Sequence, residues 1–349
     1  MHSASEEEPM HAVGVYQALP TDDPRCVIDV ELPVPVPNPR DILVHVEAVS
    51  VNPIDVKTRA AIQGTLQEPR VLGWDASGTV AQIGSEVTYF KEGDELYYAG
   101  SINRPGCCSE YHLVDERIAA LKPKSLSFEK AAAMPLTSLT AWEGLFDRLG
   151  VSHRNESDDT VLIIGGAGGV GSIAIQIAKK AAGMRVIATA SRPESSAWCL
   201  EMGADAVISH AKPLEDELSR IGVKDVPYIF CLNSTAAYLE AMISILRPQG
   251  RICPIVAMPE GHLVDLNAFR AKSAGLIWEL MFTRSVWNTV DMVRQHEILH
   301  AVAELIDNRT LTHTMRTSFD TLDARTVRNA HTIIESGSTI GKVVLRRAH

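Results

Sequence analysis

At 349 residues, 46% hydrophobic and 22% charged, the chain is long enough for two globular domains that each bury a core. A formal net charge of −10 at pH 7 argues against a nucleic-acid or anionic-membrane partner, since either selects a basic face. No apolar run reaches the length of a membrane span and the N-terminus lacks the order of a signal peptide. The scattered cysteines 26, 107, 108, 199, 231 and 253 form no C-x-x-C, so reduced thiols and a cytoplasmic location are expected.

In chain order, residues 1–9 (MHSASEEEP) read as a disordered acidic leader before a domain that begins near Met10. Residues 10 to about 130 carry short strand-like runs punctuated by Pro and Gly. Candidate strands are Ile42–Val51 and Gly78–Ile83, Gly93-Asp94 marks a turn, and PVPVPNPR at 33–40 is an extended connector. This part is mainly β.

From about Ala131 the pattern becomes helical and then alternates strand and helix. Val161–Ile164 is a short aliphatic run, as expected for a parallel strand buried on both faces. Gly166, Ala167, Gly168, Gly169, Val170 and Gly171 follow it, with the glycines of G-x-G-x-x-G at 166, 168 and 171. The first glycine is expected to allow the turn, the second to let backbone approach a pyrophosphate, and the third to let the helix pack on the sheet. A helix over Ser172–Lys180 and a second strand over Arg185–Thr189 supply the context that makes this short motif informative.

The second strand ends in Ala190, Ser191 and Arg192, where an NAD site usually places Asp or Glu. A hydroxyl and a guanidinium suit a 2′-phosphate, which makes NADPH the expected cofactor; a solvated loop charge is the alternative for Arg192. Further elements are a helix at Ser195–Met202, strands at Ala206–Ser209 and Tyr228–Leu232, a helix at Ala236–Leu246 and a strand at Arg251–Val256. Such alternation implies right-handed crossovers and a doubly wound parallel sheet.

The tail carries an amphipathic helix over Asp291–Ile306 and the strand GKVVL at 341–345, which is expected to return to the first domain. HEILH at 296–300 matches H-E-x-x-H, a metalloprotease pattern. Its plainer reading is a helix whose Ile298, Leu299 and Val302 pack inward.

The order of parts resembles the medium-chain dehydrogenase/reductase superfamily. The markers are SVNPIDVKTR (50–59), VLGWDASGTV (71–80), LTSLTAWEGLF (136–146), the glycine stretch and ESGSTIGKVVL (335–345). Together with LIWELMFTRS (276–285) they look most like the quinone-oxidoreductase branch and its zinc-type alcohol dehydrogenase-like subgroup. The resemblance implies a GroES-like mainly-β domain (10–134 with 286–349), a Rossmann NADPH-binding domain (135–285) and a homodimer.

It also bears on metal. Asn52 and Gly73-Trp74-Asp75 stand where the zinc enzymes have Cys and Gly-His-Glu, and no third Cys lies near Thr137. The segment 95–112 lacks the four-cysteine structural lobe, so neither a catalytic nor a structural zinc is expected. Without a Lewis acid, hydride transfer favours an acceptor already activated by conjugation, a quinone or an α,β-unsaturated carbonyl.

The resemblance places Asn52 and Thr137 near the nicotinamide and the substrate, with Trp74 in the space of a metal ligand; Asp55 is expected to face the cleft and Trp74 to stack on the substrate. It places His210 at the adenosine ribose, and Asn233 and Ile255 on the nicotinamide side. Turn capping at Asn52, a solvated or capping charge at Asp55, core packing at Trp74 and ordinary strand-end positions for the others are the plainer alternatives. A zinc-dependent alcohol dehydrogenase and a cofactor-binding protein without turnover remain the other function classes.

Overall fold

The computed structural model describes residues 9–152 and 159–347. Most of the acidic leader expected at 1–9 lies outside them, and Pro9 already opens the first strand. Two compact units result, one of Met1–Leu136, Phe282–Arg309 and His313–His349, the other of Thr137–Met281 and Thr310–Thr312.

The first unit opens with β1 (Pro9–Gln17), β2 (Ile28–Pro33), β3 (Asp41–Val51), helix α1 (Pro53–Ala60), β4 (Thr65–Val71) and β5 (Ala76–Ile83). β6 (Glu95–Tyr98), β7 (Tyr111–Asp115), β8 (Ala119–Leu121) and the short α2 (Phe128–Ala132) follow. β1 sits between β2 and β4 in an antiparallel sheet. The prolines of 33–40 keep that connector out of both sheets, as their missing donors require. The loop before β7 is closed by protein groups. Arg104 bonds both oxygens of Asp41 at 2.7 and 3.0 Å, and His112 Nε2 lies 3.0 Å from the Pro105 carbonyl.

The second unit begins at Thr137 within α3 (Pro135–Trp142) and alternates β9 (Thr160–Ile164), α4 (Gly169–Gln176), β10 (Arg185–Thr189), α5 (Pro193–Met202) and β11 (Ala206–Ile208). It continues with α6 (Leu214–Arg220), β12 (Val226–Cys231), α7 (Thr235–Ile245), β13 (Leu246–Pro254), α8 (Leu266–Lys272) and β14 (Gly275–Leu276). The sheet is parallel in the order β11-β10-β9-β12-β13-β14. β9 and β12 lie at its centre, and Leu162, Ile164, Ile229 and Cys231 are buried in one core with Ile187 and Ile252. The helix expected from Ser172 begins three residues earlier, because Gly169 and Gly171 are themselves helical, and it runs on as a wider π-helical turn through Ala181.

The chain then returns to the first unit through α9 (Thr283–Trp287), α10 (Arg294–Asp307), β15 (Met315–Phe319), α11 (Ala324–Glu335) and β16 (Lys342–Arg346). β16, the expected GKVVL strand, pairs antiparallel with β3 in the register Val343↔Val51. The resulting sheet runs β15-β16-β3-β5-β6-β8, with β7 also on β3. β3 is therefore central and nearly all of it is buried, which is why its sequence alternates only in places. α10 starts at Arg294, three residues later than the sequence suggests, and buries Ile298, Leu299, Val302 and Ile306 on one face. The architecture is thus a GroES-like β unit and a Rossmann-like parallel-sheet unit. All six cysteines are buried and unbridged.

Candidate functional site

In the second unit the sheet order reverses between β9 and β12. From β9 the chain winds outward through β10 and β11, and from β12 it winds the other way through β13 and β14. Open parallel sheets bind ligands outside the carboxyl ends of the strands at such a reversal. The expected cofactor residues all follow those ends: 166–171 after β9, Ser191 and Arg192 after β10, His210 after β11, Asn233 after β12 and Ile255 after β13.

The glycines divide the work differently from the sequence expectation. The left-handed turn belongs to Gly165, at φ +89°, rather than to Gly166. A Cβ on Gly166 would fall 2.8 Å from Ala188 Cβ, so that glycine lets β9 and β10 pack closely. A Cβ on Gly171 would lie 2.4 Å from the Gly165 carbonyl oxygen, which is the helix-on-strand role expected of it. On Gly168, the N-cap of α4, a Cβ would meet only the Gly165 carbonyl at 3.7 Å. Protein packing does not demand a glycine there, whereas a close ligand would.

Other groups on this edge fit a dinucleotide. The first N–H groups of α4 lack intrahelical acceptors and face outward from its N-terminus. Asn233 Oδ1 is buried with no hydrogen-bond partner, and Ser191 and Arg192 are exposed at the start of α5. Thr189, which sequence reasoning passed over, joins two of these features. Its Oγ1 accepts the Gly165 N–H at 3.0 Å and lies 3.0 Å from His210 Nδ1. A threonine closing the apolar run VIA was the available signal. Burial holds His210 below the usual imidazole pKa.

The residues expected at the reacting end fall into both units. Thr137 is buried in α3 of the second. Asn52, Asp55 and Trp74 belong to the first, where Asn52 is the N-cap of α1. Trp74 is fully buried, with its indole edge-to-face on Phe282 at 6.4 Å between centroids. Asp55 Oδ2 accepts the Asn52 N–H at 2.6 Å, the capping alternative, while its Oδ1 has no hydrogen-bond partner. Burial pushes the Asp55 carboxyl up to about 7 against the opposing Asn52 N–H and Lys342 ammonium.

Lys342 was not anticipated. Its buried ammonium bonds Asn52 Oδ1, the Val51 carbonyl at 3.2 Å and Asp75 Oδ2 at 3.0 Å. Asn52 Nδ2 donates to Asp75 Oδ2 at 3.1 Å and to the Ser50 carbonyl at 3.3 Å, and Asp75 Oδ1 accepts the Leu136 N–H at 3.1 Å. Burial raises the Asp75 carboxyl while Lys342 and these donors pull it back. The oxygens that could face a metal here already hold a cation, and Asn and Trp offer neither thiolate nor imidazole. The donor set does not fit zinc.

HEILH lies on α10 of the first unit. His296 stacks on Tyr89 at 4.7 Å and its Nδ1 is 2.7 Å from the Ala119 carbonyl; Glu297 pairs with Arg294, and His300 with Glu304 at 3.6 Å. Among the described residues, no three His, Cys, Asp or Glu side chains form a metal-binding group, and no helix is long and apolar enough to cross a membrane.

Comparisons with known proteins follow the same division. Residues 38–124 match the alcohol dehydrogenase GroES-like domain family, and residues 169–308 the zinc-binding dehydrogenase family. A zinc-type alcohol dehydrogenase-like protein of Staphylococcus epidermidis is 40% identical over 96% of this chain and 99% of its own. A crystal structure from Rhizobium etli CFN 42, described as a zinc-dependent alcohol dehydrogenase protein, superposes with a TM-score of 0.92 at 43% identity, covering 98% and 99% of the two chains. Escherichia coli quinone oxidoreductase complexed with NADPH gives 0.80 at 25% identity, covering 96% and 99%.

Proposed function

The chain belongs to the medium-chain dehydrogenase/reductase superfamily, among the zinc-type alcohol dehydrogenase-like proteins, and on that premise we propose that it is an NADPH-dependent, metal-free reductase of conjugated carbonyl compounds. The acceptor is a quinone or an α,β-unsaturated carbonyl; a quinone contains the same conjugated unit. The observation that carries the proposal is the Lys342 ammonium on Asn52 and Asp75, where a metal would need its ligands.

When bound, the reduced nicotinamide supplies a hydride. The chain's own part is to bind and orient. The backbone at Gly166–Gly171 and the first turn of α4 would hold the pyrophosphate. Ser191 and Arg192 would hold the 2′-phosphate, the hydroxyl by hydrogen bonding and the guanidinium by a charge-assisted fork. His210 would meet the adenosine ribose, with Asn233 and the Ile255 backbone on the nicotinamide side and Thr137 at the carboxamide. Asn52 would border the nicotinamide. A conjugated acceptor needs little more, because the developing negative charge is delocalised rather than concentrated on an alkoxide. Support for the cofactor and acceptor classes comes from the NADPH-bound quinone oxidoreductase likeness. A cytoplasmic homodimer completes the proposal.

The test is cofactor oxidation with menadione and with but-3-en-2-one, using NADPH and NADH in parallel. The expected result is turnover with at least one acceptor and a higher kcat/KM for NADPH. Oxidation of simple alcohols with no reduction of either conjugated carbonyl would contradict the proposal.

A further inference from the structure

We propose that Lys342 is a positioning residue that sets the orientation of the Asn52 amide. The inference rests on the reading that Asn52 borders the reacting end of the cofactor. It begins with strand register: β16 pairs with β3 at Val343↔Val51 and Val344↔Ser50, so continuing one step brings Lys342 beside Asn52 where β3 ends and α1 begins.

The Lys342 side chain is only 3% exposed, and a buried ammonium is tolerated only when its donors are satisfied. It has three donors and three acceptors: the Val51 carbonyl, Asp75 Oδ2 and Asn52 Oδ1. Asp75 balances the charge and is anchored by the Leu136 N–H. An ion pair alone would need only Asp75; the bond to Asn52 is what Lys342 adds.

That bond decides which way the amide points. A side-chain amide with mixed neighbours can flip, exchanging its oxygen and nitrogen. Here the flipped amide would turn its N–H groups toward an ammonium and its oxygen toward the Asp75 carboxylate. Both Nδ2 protons are already used, on Asp75 Oδ2 and the Ser50 carbonyl. Lys342 therefore fixes one orientation of the amide.

Two variants test this on the full chain. Lys342→Met with Asp75→Asn removes the ion pair without leaving a buried charge unpaired, and Lys342→Arg keeps a cation. Thermal unfolding establishes that each is folded, and the exchange of the ¹⁵N-labelled Asn52 side-chain amide, assigned with Asn52→Ser, reports its order independently of turnover. The expected double variant is folded, binds NADPH within about threefold of the parent, loses roughly 100-fold in kcat and exchanges its Asn52 amide protons faster, whereas Lys342→Arg keeps more of both. A folded double variant with the parent's kcat and the parent's Asn52 amide protection would overturn the proposal. Should the parent reduce no conjugated carbonyl, the reductase reading falls, and the amide exchange alone decides whether Lys342 orients Asn52.

Discussion

The glycine edge of the second unit and the Asn52–Asp75–Lys342 cluster of the first are built in opposite ways. The edge is made of backbone and strand ends, and it keeps hydrogen-bonding capacity unspent: helix N–H groups, Asn233 Oδ1, and a space beside Gly168 that no protein atom needs. The cluster is made of side chains, is almost wholly buried, and spends nearly all of its capacity internally, Asp55 Oδ1 being the main exception. Unspent capacity belongs where a ligand completes the bonding. Spent capacity belongs where a group must be held still.

If the cluster is closed in this way, removing its cation should have the largest effect of any change considered. Lys342→Met leaves Asp75 buried without a counter-charge, at an expected cost of about 3–5 kcal/mol, which urea unfolding would measure. A loss near zero would mean that the cluster is as adaptable as the edge.

The edge should respond through the ligand instead. Arg192→Ala is expected to weaken NADPH binding about tenfold or more and NADH binding little, measured by cofactor fluorescence. Equal losses would detach Arg192 from the 2′-phosphate.

A pH experiment sharpens the contrast within the cluster. With its folded pKa near 7 and its unfolded value near 3.8, Asp55 binds more protons in the folded than in the unfolded state between those values. Its contribution to stability is therefore full below the lower value and is lost as pH rises toward the upper one. Asp55→Asn should gain on the parent between pH 4 and 7, approaching about 1.4 kcal/mol per pH unit, and hold that gain above pH 8. A constant difference across the range would place the Asp55 carboxyl near its ordinary pKa.

The smallest effect on the fold is expected at Gly168. Gly168→Ala should change stability by no more than about 0.5 kcal/mol while weakening NADPH binding. A large loss of stability would show that the glycine serves the fold rather than a ligand.

The edge was largely legible in the sequence because its signals are local. An aliphatic run, a glycine spacing and a helix adjoin one another between Val161 and Lys180, and the strands from Arg185 to Val256 repeat at short intervals. What was misjudged there was conformational: no pattern distinguishes Gly165, which carries the positive φ, from Gly166, which carries the close contact. The cluster was illegible for a different reason. Asn52 and Lys342 are 290 positions apart, and only the β3–β16 register brings them together. GKVVL announced a strand, and nothing in it singled out its lysine. The strands β4 and β15 and the helix α11 also went unread; only Val71 of β4 and no residue of β15 is buried, so neither strand leaves an apolar run.

The central claim, hydride transfer to a conjugated carbonyl without a metal, is tested most directly by measuring metal content and menadione-dependent NADPH oxidation on the same chelator-washed protein, before and after adding zinc. The account predicts substoichiometric zinc, turnover in the washed protein and no gain on zinc addition. Stoichiometric zinc whose removal abolishes turnover and whose return restores it would contradict the account.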